Sequence, residues 1–536
     1  MKARSIRSIC PLGVAALCLS LLPVAVIRPA AAQGQKPTAA PQPAPGVKLV
    51  DKMPPAAAPR PFTFPTPVSR TLANGLHVYV ISGRERAPKA QVAPAVSVVL
   101  LIRGAGAARD PQAKPGLAAF TGDLLRQGTE KRTAQDIASS IDFVGGSLNA
   151  GAGRDSTTLG VTVVKKDFDL GMDLLSDITL HAKFPPEEIS RRQQRVLSGF
   201  RSRYEDPAYL AESVFRRIVF GSGAYGMPPD GTPASVSAIT RDDLISFRDR
   251  YYLPNEAIMA FVGDISPDEA FAAAEKYFGG WPRKPSTPPV VNVPPQVSGL
   301  HIVVVDMPDA VQTQIHVGRL GIPRNHPDFL PLSVTNYIFG GGFNSRLNVE
   351  TRVNRGLTYG ANSGFGGALY AGDFSADTFT RTETTVETTK VILDEMRKMA
   401  GGQVTSEELT LARDYLSGVF VIASETPNQV ADRVTNAAFY GLPDDYNQTF
   451  PAKIRAVTAE QIKQMAGHYF DATDQNLVLV GNAGAFRDQL KAAFPSAKYD
   501  EIAADDLDLM APNLRKAANA PDIGRGASSG LADSAR

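Results

Sequence analysis

The 536-residue chain has few of the side chains that carry redox and metal chemistry. It holds two cysteines, Cys10 and Cys18, six histidines and one tryptophan. Both cysteines lie in the first 32 residues, so a chain cut after Ala32 has no disulfide and no thiol nucleophile. The histidines are His77, His181, His301, His316, His326 and His468. None stands three or four residues from another, so no helical turn offers a pair of imidazoles to a metal. An excess of one charge is missing too: 56 Lys and Arg face 54 Asp and Glu. That excludes the basic surplus of a nucleic-acid-binding protein. G-x-S-x-G elbows and P-loops are absent, and Gly340-Gly341-Gly342 lacks the Lys-Ser/Thr that a phosphate loop needs. With 43% hydrophobic and 21% charged residues, the composition is that of a soluble globular protein.

What is present begins with an export signature. Lys2, Arg4 and Arg7 precede an apolar run over 9–27, and Ala30-Ala31-Ala32 forms a small-residue cleavage site. Residues 1–32 therefore read as a signal peptide, with a periplasmic destination and no membrane span after cleavage, the alternative being an uncleaved membrane anchor. Cleavage also removes Arg28 and leaves 52 basic against 54 acidic residues. Residues 33–60 are a Pro/Ala-rich lead without periodicity, and 282–297 a Pro-rich linker. Residues 500–536 turn polar and read as a flexible tail.

The linker separates two lobes, 61–281 and 298–499, that resemble each other. Ile239-Thr240 matches Val457-Thr458, Val262-Gly263-Asp264 matches Val480-Gly481-Asn482, and Leu197-Ser198-Gly199 matches Leu416-Ser417-Gly418. The offsets are 218, 218 and 219, which points to a tandem duplication. Apolar, β-branched runs at 96–102, 159–164 and 302–305 predict strands. Spacing predicts helices over 167–180, 187–203, 385–399 and 406–422, the last capped by Ser406. The expected fold is α+β, two homologous lobes with mainly antiparallel sheets covered by helices on one face.

One segment is distinctive. Residues 116–129 read GLAAFTGDLLRQGT. This resembles the signature helix of the pitrilysin/insulinase family of zinc peptidases, G-L-A-H-F-L-E-H-M-L-F-x-G-T. Gly116, Leu117, Ala118, Phe120, Leu125, Gly128 and Thr129 keep its frame. The zinc-binding H-x-x-E-H does not survive: Ala119 stands at the first His, Gly122 at the Glu and Asp123 at the second His. In that motif two His at i and i+4 share a helix face and bind zinc, and the Glu acts as general base. The family's third ligand, a Glu some 75–80 residues on, falls at Gly199 or a neighbour, and 198–200 holds no acid.

The resemblance continues in the second lobe. FGGGFNSRL at 339–347 and RVNRGLTY at 352–359 are similar to the family's G-G-x-x-S-R-L loop and R-x-x-x-G-L-x-Y. It implies that Arg352 and Tyr359 are catalytic groups acting in trans, donating to an oxyanion at a partner's zinc site. Gly340, Gly341 and Gly342 permit close backbone approach of substrate or a flexible hinge. Asn149 and Ala150 match the family's edge strand, to which substrate adds as a further strand; the alternative is a glycine-rich turn followed by an ordinary strand. The alternative for Arg352 is a local salt bridge, and for Tyr359 a place in the core.

The resemblance thus implies a non-catalytic subunit of a two-chain zinc peptidase, inactive alone, in a clamshell that takes unfolded peptides. Its partner would be a homologous H-x-x-E-H subunit carrying the zinc, with no cofactor in this chain. Two other readings remain open: a structural or peptide-binding scaffold without turnover, and a stand-alone peptidase with atypical metal ligands.

Overall fold

In the first lobe the strands are β1 (Val68–Thr71), β2 (His77–Ser82), β3 (Ala95–Arg103), β4 (Ser147–Ala152), β5 (Ser156–Val164) and β6 (Ala257–Gly263). Its helices are α1 (Leu117–Leu124), α2 (Ala134–Phe143), α3 (Phe168–Leu180), α4 (Pro186–Tyr204), α5 (Pro207–Phe220), α6 (Pro233–Ser237), α7 (Arg241–Tyr251) and α8 (Pro267–Phe278). The second lobe has β7 (His301–Asp306), β8 (Gln312–Leu320), β9 (Ala361–Gly367), β10 (Gly372–Arg381), β11 (Asn476–Gly481) and β12 (Lys498–Ala503). Its helices are α9 (Phe329–Asn336), α10 (Arg346–Asn348), α11 (Thr385–Ala400), α12 (Ser406–Ile422), α13 (Pro427–Phe439), α14 (Tyr446–Ala456), α15 (Ala459–Tyr469) and α16 (Ala483–Ala493). This computed structural model describes residues 62–83 and 94–517. The signal peptide, the lead over 33–60 and the segment beyond 517 lie outside the described residues.

Each lobe is built on one six-stranded sheet, ordered β1-β2-β6-β3-β5-β4 and β12-β7-β11-β8-β10-β9. β3, β5 and β4 run antiparallel, as do β8, β10 and β9. β2 lies parallel to β6 and β7 parallel to β11. The duplication read from the sequence is therefore a structural one. Thr240 caps α7 and Thr458 caps α15, each in a capping box and 218 residues apart. The outermost strand is the exception. β1 precedes its lobe and pairs antiparallel with β2, whereas β12 follows its lobe and pairs parallel with β7.

The sheets are covered on both faces, not on one. α1, α3, α7 and α8 pack Phe120, Leu175, Phe247 and Phe271 onto Val98, Leu100 and Phe261 of the first sheet. The opposite face, with Val99, Ala260 and Val262, is covered by Phe420, Val430 and Val434 of the second lobe. The exchange is reciprocal: Leu210, Val214 and Phe215 of α5 lie on Val303, Val305, Val478 and Val480 of the second sheet. Adjacent strand residues point to opposite faces, so a strand buried on both sides reads as an unbroken apolar run. That is why 96–102 shows no alternation.

Two local expectations change. α12 begins at Ser406, but its cap is Thr405, whose side chain accepts from the Glu408 amide while Glu408 bonds the Thr405 N–H. The chain beyond 500 is no loose tail as far as residue 517. β12 extends the sheet, and Ile502, Leu507, Leu509 and Leu514 enter the interlobe core. Arg217 of α5 donates to the carbonyls of Leu509 (2.8 Å) and Ala511 (2.9 Å). Four apolar residues dispersed among acids bury as well as a contiguous run when a groove is there to receive them. Between Phe278 and His301 the chain forms no helix or strand.

Candidate functional site

α1 carries the retained frame, and the structure shows what that frame does. Leu117, Ala118, Phe120 and Leu125 are core residues. Gly116 has φ +94°, and a Cβ there would lie 2.9 Å from the Asp230 carbonyl, so only glycine fits. The Asp110 carboxylate accepts from the Gly116 (2.7 Å) and Ala118 (2.8 Å) amides and anchors the helix start. Burial pushes Asp110 up to about 7, against the opposing pull of these amides and Arg154. Thr129, buried, donates to Asp177 at 2.8 Å. The frame survives because it is scaffold.

The positions that would hold zinc have been rebuilt. Ala119 is half-buried and carries no ligand atom. At Gly122 the helix closes on β4: a Cβ there would sit 2.7 Å from the Ala152 amide nitrogen and 3.0 Å from the Gly151 carbonyl carbon. A glutamate cannot stand there without moving backbone. Asp123 forms an ion pair with Arg192 of α4, and the Arg192 guanidinium also lies 5.7 Å from the Phe120 ring centre. Burial raises the Asp123 carboxyl, with Arg192 opposing. An α1–α4 ion pair thus stands where the family pattern expects a metal. Gly199 lies seven residues beyond Arg192, about 10 Å along the helix at 1.5 Å per residue. A Cβ added there would meet open space.

A shallow cleft of about 250 Å³ opens beside Asp123, lined by Arg126, Glu188, Arg191, Arg192 and Arg195. Four guanidiniums around one spot oppose a dication. The residues present do not fit zinc. Among the described residues, no group of three His, Cys, Asp or Glu side chains could hold a metal ion. The helix predicted over 187–203 does not by itself announce this cluster. Its signal was the 188, 191, 192, 195 spacing, which places all four side chains on one helix face.

The second lobe's groups fall as follows. Arg352 lies in a π-helical turn (Val349–Asn354), exposed, with its guanidinium 4.9 Å from the Phe343 ring centre. It makes no ion pair among the described residues. Tyr359 is 81% exposed. The local salt bridge and the core tyrosine are therefore both set aside. Phe343 is exposed as well, so an aromatic and a cation share one bare surface. Gly340, Gly341 and Gly342 have a different neighbour from the one expected. Added Cβ atoms would clash with Ser363 Oγ and meet Asn336 Nδ2 at 2.8 Å and the Tyr337 ring at 2.8 Å. Packing within the lobe accounts for this glycine run. β4 is an edge strand that pairs with β5 alone. Asn149 is exposed on it and Ala150 packs toward the core.

Comparison with known proteins places this geometry. Residues 87–217 match the insulinase family (peptidase family M16), and 238–416 match the peptidase M16 inactive domain. An uncharacterised zinc protease of Mycobacterium leprae is 30% identical over 366 residues, covering 68% of this chain and 82% of that protein. One from Mycobacterium tuberculosis is 29% identical over 369 residues, with 68% and 84% covered. The structure resembles a peptidase M16 inactive domain from Pseudomonas fluorescens, with TM-score 0.72, 26% identity, and 77% and 98% of the two chains covered. A Helicobacter pylori protease shares the fold at TM-score 0.71 and 19% identity, with 78% and 100% covered. The chain belongs to the insulinase family of metallopeptidases, peptidase family M16, and lacks that family's zinc-binding residues at the motif positions.

Proposed function

We propose that this chain is the non-catalytic subunit of a two-chain zinc peptidase. A homologous partner with an intact H-x-x-E-H supplies the metal, and this chain supplies Arg352 and Tyr359 to the peptide held there. The supporting observation is an asymmetry. The zinc positions are closed by β4 and an ion pair, while Arg352 and Tyr359 stand exposed, with ring contacts to Phe343 and Phe379 and no carboxylate partner among the described residues. A guanidinium and a phenol suit a peptide carbonyl that gathers negative charge, because both donate and neither must first be deprotonated. The substrates are unfolded peptides, and the N-terminal signature sends the chain to the periplasm.

Reconstitution with the partner tests this. Arg352→Ala and Tyr359→Phe each lower kcat about 10²–10³-fold, the cost of losing one oxyanion donor. They leave complex formation, read by sedimentation, intact. Full peptidase activity in both variants would show that the chain is not acting through these groups. The scaffold reading is favoured by one feature, the unpaired edge of β4. Peptide binding by the lone chain with no peptidase partner in pull-downs would support it instead.

A further inference from the structure

The cleft beside Asp123 has more positive charge than its own fold uses. Glu188, Arg191, Arg192 and Arg195 project from one face of α4, and Arg126 follows the end of α1. Arg192 is paired with Asp123, and Arg191 with Glu188 at 2.7 Å. Asp230, the other acid that acts on Asp123, is occupied by Arg203 at 2.8 Å. Arg126 makes no direct ion pair among the described residues, although its charge acts on Asp123; its Nη1 donates to the Leu148 carbonyl of β4 at 2.8 Å. Arg195 is exposed, with no hydrogen bond or ion pair among the described residues. Four guanidiniums thus face two carboxylates, Asp123 and Glu188, a surplus of two positive charges. Arg126 and Arg192 each also keep a buried Nε–H with no acceptor in the fold. A buried donor without an acceptor is costly, and an arginine fork matches a carboxylate in charge and in shape.

We infer that this cleft is an anion site that takes a carboxylate of an extended peptide. Its place argues for a peptide over a free ion, since Arg126 joins the cleft directly to β4, the edge strand open to main-chain pairing. The rebuilt zinc position would then serve as an anchor, selecting peptides with an acidic side chain or a free C-terminus. This extends the peptide-handling reading above and rests on it.

The test uses the full chain alone, without partner, and fluorescent peptides in anisotropy titrations. Four peptides separate the two sources of carboxylate: one internal Asp or its Asn counterpart, each with a free or amidated C-terminus. The carboxylate-bearing peptides are expected to bind about tenfold tighter than the amidated Asn peptide. Arg195→Gln, at an exposed residue that no contact depends on, is expected to erase most of that difference and to flatten the salt dependence. A preference for Asp identifies a side-chain carboxylate, and a preference for the free end a terminal one. Equal binding of all four peptides, or no binding of any, overturns the inference. So does an unchanged preference in Arg195→Gln, or an inorganic phosphate competition that is equal for acidic and neutral peptides. The Arg352 and Tyr359 reading is measured by turnover with the partner, so either can fail while the other stands.

Discussion

At the residue scale, the decisive position is Gly122. The pattern in the sequence says only that a glutamate is missing. The structure adds that it cannot return, because the Ala152 amide occupies its space. Gly122→Glu is expected to cost about 1–3 kcal/mol through overpacking, set against the roughly 1 kcal/mol gained when a helix glycine is replaced. Urea unfolding measures the net loss. The triple variant Ala119→His, Gly122→Glu, Asp123→His should bind no stoichiometric zinc by metal analysis of the dialysed protein. Its new ligands would sit beside Arg126, Arg191 and Arg195, and the Asp123 replacement frees Arg192 as a further repelling charge. Stoichiometric zinc in that variant would mean that the helix–strand contact yields easily. Arg352 and Tyr359 could be named from the sequence because their spacing matched a pattern. Their exposure could not, since it depends on which neighbours the fold leaves out.

At the scale of elements, α1 shows why a motif's frame outlasts its chemistry. The helix has no side-chain cap of its own; Asp110 does that work from the preceding loop. Burial holds this carboxyl near 7, above its ordinary value near 3.8. Between those values the unfolded chain releases the proton and the folded chain keeps it. The group's contribution to stability is therefore full below about pH 4 and falls as pH rises toward 7. In Asp110→Asn the urea midpoint should decline less between pH 4 and pH 7 than in the wild type. Asp155 and Asp373, also raised by burial, keep part of the slope. Identical slopes would show that Asp110 is not held protonated by the fold. The elements legible in the sequence are the long periodic helices and the unbroken apolar strands, because these report themselves locally; the shorter helices and the edge strands do not. α12 was placed to the residue, and its cap was missed by one, as Thr405 and Ser406 are both good caps.

At the scale of the whole molecule, the lobes are not independent. α13 completes the first lobe's core and α5 the second's. The segment after 500 joins them, with β12 on the second sheet and Leu507, Leu509 and Leu514 against α5. A chain ending at residue 497 should lose cooperative unfolding and enter aggregates, because Val303, Val305 and Phe215 lose cover and Arg217 loses its acceptors. Circular dichroism melts and sedimentation check this, and a truncated chain as stable as the full one would show that the segment is merely applied to the surface. The sequence by itself determined the duplication, the strand and helix types, the family frame and the loss of metal ligands. All of these are encoded by residue identity at short range or fixed spacing. Only the tertiary structure decided that both sheet faces are covered, that the chain to 517 is core, that the glycine run is packed, and that the former zinc position is a cluster of arginines. These depend on contacts between residues tens to hundreds of positions apart, which no local pattern carries.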